Sequence, residues 1–156
     1  MLRWLWLSLA VVVLDQATKY SAEAMLELHR PVAVLPLVNL ALSYNTGAAF
    51  SFLSGAGGWQ RWFFAILAAA VATVIVIWMS RLSRRDRWLA AALALIAGGA
   101  VGNLIDRLVH GHVIDFIDVY YAHWHWPTFN LADSAITVGV IVLIADGLLG
   151  GSRRGT

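Results

Sequence analysis

Two carboxylates, Asp115 and Asp133, stand out in a chain that is otherwise mostly apolar. They bound most of the stretch 110–133, HGHVIDFIDVYYAHWHWPTFNLAD. A charge at the centre of a transmembrane helix costs about 2.5–3.5 kcal/mol on insertion scales, so carboxylates beside lipid need a reason. When two of them share a site, one pKa rises, and a proton held between them supplies an acid and a base together. Such a pair can activate water and polarise a carbonyl in one step. Asn45, Asn103, Arg107 and Asn130 could orient a substrate beside it. The residues also leave a plainer account open. Asp133 falls where a helix is expected to begin, Asn and Asp are favoured caps, and a carboxylate suits the positive end of a helix dipole. Asp115 would then be a solvated interfacial group.

Other chemistries compete. His110-Gly111-His112 and His123-Trp124-His125 flank Asp115, and His with carboxylate can hold a zinc that activates water. No H-E-x-x-H accompanies them. Ser134 lacks a G-x-S-x-G setting. The absence of cysteine excludes disulfides, a thiol nucleophile and thiolate metal ligands. Asp118, in Ile117-Asp118-Val119, reads as a solvated loop residue. Polar groups in spans can also line a transport pathway, but Asp15, Asp133 and Asp146 are scattered in depth, and so few spans would need an oligomer. A purely structural or assembly role is the blandest alternative.

The elements that must position these groups follow from composition. The chain has 156 residues, 60% of them hydrophobic and 13% charged, and a mean hydropathy of +0.73. That is too apolar for an ordinary soluble domain, and eight tryptophans suit membrane–water interfaces. A net charge of +2, with no basic run interleaved with aromatics, excludes a nucleic-acid partner. The pattern predicts one membrane domain, 1–156, with spans at about 4–22, 62–79, 88–105 and 130–149. Residues 23–58 and 108–129 lie on one face and the arginine-rich loop 81–87 on the other. By the positive-inside rule Arg3, that loop and Arg153–Arg154 are cytoplasmic, so both termini are too. A basic start followed by an apolar run and Ala22-Glu23-Ala24 also mimics a cleaved secretory signal, although Asp15–Lys19 would make its last region long and charged. Asp15 and Lys19 form an i,i+4 pair. Val32–Tyr44 alternates with period two around Pro36 and reads as strands, with a turn at Asn45-Thr46-Gly47 and a Gly-rich link at 54–58. Ala94, Gly98 and Gly102 make a small-xxx-small face. The fold class is therefore an all-α integral membrane protein of four transmembrane helices, with a small extracytoplasmic β-sheet and a second outer loop or short helix.

Five blocks in order carry a further likeness. They are Asp15-x-x-x-Lys19, Asn45-Thr46-Gly47-Ala48-Ala49-Phe50, Gly98-Gly99-x-x-Gly102-Asn103-x-x-Asp106-Arg107, Val113-Ile114-Asp115-Phe116 and Phe129-Asn130-x-Ala132-Asp133. Over nearly its whole length the chain resembles the bacterial lipoprotein signal peptidase (signal peptidase II) family, aspartic proteases of the inner membrane. The resemblance implies that Asp115 and Asp133 are the catalytic dyad. It implies that Asn45, Asn103, Arg107 and Asn130, with Gly47 and Ala132 of the same motifs, bind substrate. Asp15, Lys19 and Asp106 are then structural. The implied substrate is a prolipoprotein with a diacylglyceryl-modified cysteine, cut just before that cysteine. Neither cofactor nor metal is implied. The resemblance also implies membrane lipids as surroundings, globomycin-type inhibitors that occupy the dyad and a site on the periplasmic side, and a monomer is expected.

Overall fold

The computed structural model describes residues 1–47 and 57–150, the side chains of residues 149 and 150 excepted. The motif residues Ala48-Ala49-Phe50, residues 54–56 of the Gly-rich link and Arg153–Arg154 lie outside the described residues. A turn of 3-10 helix, Leu2–Trp4, leads into α1 (Leu5–Met25). Then come β1 (Val32–Leu35), β2 (Val38–Asn45), α2 (Trp59–Arg81), α3 (Arg87–Val109), β3 (Val113–Tyr121), β4 (Trp124–His125) and α4 (Leu131–Gly150).

α3 is the hub, packed against α1, α2 and α4. Its alanines and glycines are buried along most of its length. Trp59–Arg81, Arg87–Val109 and Leu131–Leu148 are long and apolar enough to cross a membrane. α1 is of similar length but carries Asp15, Lys19 and Glu23. Ile66, Val74, Ile141 and Ile144 are exposed on the outer faces of α2 and α4. That arrangement is expected where lipid, not water, is the solvent.

Small residues let the helices meet. The predicted stripe Ala94, Gly98 and Gly102 faces α1. The Ala94 carbonyl accepts the Ser8 hydroxyl at 2.7 Å. A Cβ on Gly98 would lie 2.8 Å from Val11 Cβ, and one on Gly102 would lie 2.5 Å from Asp15 Oδ2. Gly99, one residue on, turns to α4, where a Cβ would run into the Ala132 carbonyl oxygen. Overpacking of this kind costs about 1–3 kcal/mol. Gly99→Ala is therefore expected to lower the melting temperature in detergent. Gly147→Ala, with nothing near its added methyl, should leave it unchanged or raise it slightly. Equal melting temperatures for Gly99→Ala and wild type would refute the close approach.

The sheet is antiparallel throughout, in the order β1-β2-β3-β4. Pro36 and Leu37 make the turn between β1 and β2, with Leu35 opposite Val38. The second outer region differs from expectation. Residues 108–129 form neither a separate loop nor a short helix, because β3 joins β2 with Ser43 opposite Asp115 and Asn45 opposite Val113. β3 is buried on both faces over its first half, so it lacks the alternation that marks a half-exposed strand. Leu42 of β2, Ile114 and Phe116 of β3 and Ala22 of α1 form a small core that seats the sheet on the end of α1.

Candidate active site

The first turn of α4 delivers Asp133. Asn130 caps the helix: its Oδ1 accepts the Asp133 N–H at 2.9 Å, and Asp133 Oδ2 accepts the Asn130 N–H at 3.3 Å. This is a reciprocal capping box. The capping account of Asp133 is thus correct as far as it goes, but it leaves Oδ1 facing elsewhere. Asn103 Nδ2 donates to that oxygen at 2.8 Å from α3. Both carboxylates, with Asn45, Asn103 and Arg107, line one cavity of about 690 Å³.

β3 delivers Asp115, which is 2% exposed and therefore not a solvated interfacial group. Its Oδ1 accepts from Asn130 Nδ2 at 2.7 Å and its Oδ2 from Asn45 Nδ2 at 3.2 Å. Asn130 thus touches both carboxylates. Each of the three amides is held by a group that can only donate. Lys19 Nζ reaches Asn103 Oδ1 at 3.0 Å, the Gly47 N–H reaches Asn45 Oδ1 at 3.0 Å, and the Asp133 N–H holds Asn130 Oδ1. The NH₂ groups must therefore face the carboxylates. Burial, and then the nearby charge of Asp133, push the Asp115 carboxyl up to about 7, while the Asn45 and Asn130 donors oppose the rise.

Beneath the pair lies a buried ionic cluster. Lys19 Nζ sits 2.8 Å from both Asp15 Oδ2 and Asp106 Oδ2. Asp15 Oδ1 accepts the Ala132 N–H at 2.9 Å, an otherwise unpaired amide at the start of α4. Asp106 accepts from Gln16 Nε2 at 2.8 Å and from the Ile114 N–H at 3.2 Å. The cluster therefore ties α1 to α3, to α4 beside Asp133 and to β3 beside Asp115. Arg107 donates to the Asn103 carbonyl at 3.2 Å and to the Gly47 carbonyl at 2.9 Å. Its guanidinium lies 5.4 Å from the centre of the Phe64 ring.

The histidine pairs do not converge on Asp115. His110 and His112 pack near Tyr20 and Tyr44, and His125 pairs with Asp118. Among the described residues no three His, Asp or Glu side chains gather to hold a metal. The Ser134 hydroxyl donates back to the Asn130 carbonyl at 2.9 Å, a helix-internal bond. Asp118 is a correction: it is 4% exposed, not solvated, because Asn39 Nδ2 and His125 Nδ1 both meet its carboxylate. Gln16 was not anticipated. Its only sequence signal is an amide beside Asp15 in an apolar helix.

The signal peptidase (SPase) II family model matches residues 7–149. The lipoprotein signal peptidase of Pseudomonas fluorescens (strain Pf0-1) is 56% identical over 147 residues, 93% of this chain and 86% of that one. That of Pseudomonas aeruginosa (strain UCBPP-PA14) is 52% identical over 147 residues, 93% of this chain and 87% of the other. A solved bacterial membrane enzyme superposes with a TM-score of 0.86 at 32% identity, covering 99% of this chain and 92% of its own.

Proposed function

Starting from the fact that this chain belongs to the signal peptidase II family, we propose that Asp115 and Asp133 are the dyad of an aspartic endopeptidase that removes signal peptides from diacylglyceryl-modified prolipoproteins. The observation that carries the assignment is Asn130, which bonds both carboxylates at the head of one cavity.

Asp133 is the base. It sits at a helix N-terminus and takes N–H donors on both oxygens, which offset part of the cost of burying its charge. Asp115, raised to about 7, still holds a proton in a large share of molecules near neutral pH and is the acid. Asp133 takes a proton from water as the water oxygen attacks the scissile carbonyl. Asp115 donates its proton toward the carbonyl oxygen as charge builds there. Collapse of the tetrahedral species breaks the C–N bond, and the proton held by Asp133 passes to the departing cysteine amine. The proton given to the carbonyl oxygen returns to Asp115. Asn45, Asn103, Arg107 and Asn130, with Gly47 and Ala132, shape the peptide's path. Asp15, Lys19 and Asp106 hold the frame.

In the same reading α1 is a fourth span, because its charged pair is neutralised inside the bundle, and 1–156 is one membrane domain. The enzyme works as a monomer among lipids of the bacterial inner membrane. Both termini are cytoplasmic, since Arg3 and the 81–87 loop share a side, and the dyad faces outward. Globomycin-type inhibitors compete for the dyad.

The test is turnover in detergent of a precursor with and without its diacylglyceryl group, with EDTA present throughout. Cleavage only of the lipidated form, leaving cysteine at the new N-terminus, supports the assignment. Loss of activity in EDTA would turn attention to a metal. The pH dependence has a definite sign. The acid must be protonated and Asp115 titrates at about 7, so kcat should fall as pH rises through that value. Asn45→Ala removes a donor that favours the ionised form, so its alkaline limb should move to higher pH. A limb that stays put, or moves lower, would count against Asp115 as the acid.

A further inference from the structure

The segment between the two carboxylates contains an acid–histidine pair that the reaction does not use. Asp118 lies on β3 opposite Asn39 of β2. Its Oδ2 accepts from Asn39 Nδ2 at 2.9 Å. His125 Nδ1 lies 2.9 Å from Asp118 Oδ1 and 3.0 Å from Oδ2. An ionised carboxylate only accepts, so in this pairing Nδ1 carries the hydrogen. The His125 ring also stacks on Tyr120, with centroids 5.4 Å apart.

The hairpin that this pair spans is weak on its own. β4 has two residues, matched as Tyr120 with His125 and Tyr121 with Trp124. Two-stranded hairpins of any length are marginal in isolation. The turn adds to the difficulty. Ala122 has a φ of 54°, a left-handed conformation that a residue with a Cβ resists. Beyond the two-residue ladder and the Trp126 N–H bond to Val119, Asp118 is anchored and placed to hold β4 down. Directly after β4 the chain becomes Trp126, Pro127 and Thr128, which form a wall of the dyad's cavity. The Trp126 N–H bonds the Val119 carbonyl at 2.8 Å, and Phe129 pairs with Ile117 beyond it. The wall is therefore fixed at its far end by the sheet and at its near end through β4.

We propose that Asp118 and His125 form a clasp that sets the position of the Trp126–Pro127–Thr128 wall, and through it the affinity for the lipidated precursor. They are positioning residues: neither lines the cavity, and neither meets the reacting atoms. The inference rests on the peptidase assignment above. The clasp acts on binding before chemistry, so its loss raises KM and spares kcat.

The experiment measures kcat and KM for a diacylglyceryl-modified precursor with wild type, His125→Ala and His125→Asn. His125 is 52% exposed at its side chain, so neither change threatens folding. An asparagine can place its amide nitrogen near the position of Nδ1 and keep the bond. His125→Ala is expected to raise KM about tenfold, the scale of one hydrogen bond to a charged group, with kcat unchanged. His125→Asn should recover most of that loss. Hydrogen exchange should quicken at 120–126 in the alanine variant only. Unchanged KM in His125→Ala, a fall in kcat instead, or an asparagine variant no better than alanine overturns the clasp. A wild type that does not cleave the precursor at all would instead sink the peptidase assignment, which separates the two failures.

Discussion

Asp115→Asn and Asp133→Asn are each expected to lower turnover of a lipidated precursor by about a thousandfold or more, and the double variant no further. In the proposed mechanism the two groups act as one unit, so removing either removes the step. Asparagine nearly preserves the shape of aspartate. At position 115 its amide cannot supply a proton, and at position 133 it cannot take one. Folding survives in both cases. The Asn130 cap of α4 is retained through its own Oδ1, and Asp115 is held in the interior of a paired strand. Melting curves in detergent taken beside the assay separate lost chemistry from lost structure. Turnover within tenfold of wild type in either variant would reduce that carboxylate to a cap or a buried polar group. The dyad assignment would then fail.

The second large effect is on stability. Lys19→Met is expected to destabilise the protein by about 3–5 kcal/mol, the usual cost of removing one partner from a buried ion pair. Lys19 is 1% exposed at its side chain, and Asp15 and Asp106 lie at 2.8 Å on either side of it. Methionine fills the volume but leaves two carboxylates facing each other without a cation. Adding Asp106→Asn should recover part of the loss, because residues in one network do not behave additively. Turnover should fall as well. Without Lys19 only the longer bond from Asn130 Nδ2, 3.2 Å, still orients the Asn103 amide, and its oxygen turns more easily toward Asp133. Thermal unfolding of the single and double variants measures the first effect. Equal stability of wild type and Lys19→Met would mean that the cluster does not hold the helices together.

Much of the site was legible because its signals were local. Asp133 follows Asn130 at the spacing of a capping box, and Asp15 precedes Lys19 by one helical turn. Asn103 and Arg107 share a face of a helix whose glycines announce close contact. Asp115 stood out because carboxylates are costly in so apolar a chain. What could not be read depended on partners distant in sequence. β3 is covered on both sides, so its alternation was lost and the stretch 108–129 did not declare itself as part of the sheet. Asp118 therefore passed for a loop residue, although Asn39, on a strand far earlier in the chain, was waiting for it. Gln16 meets Asp106 only because the Ala94–Gly98–Gly102 stripe brings α1 and α3 together. No pattern within α1 could have shown that contact.

The capping box makes the two carboxylates unequal under selection. Asp115 is buried and supports no helix end, and its raised carboxyl pKa is a cost to the folded state. Its folded value, about 7, lies above its ordinary 3.8, so stability declines as pH rises between those values and stays lowered above them. A screen that rewards heat resistance alone should readily accept a neutral residue there. Asp133 returns a bond to the Asn130 backbone and faces the helix dipole, so the same screen should retain it. Catalytically dead but sturdier descendants of this enzyme should therefore differ from it first at position 115, while position 133 persists after the activity is gone.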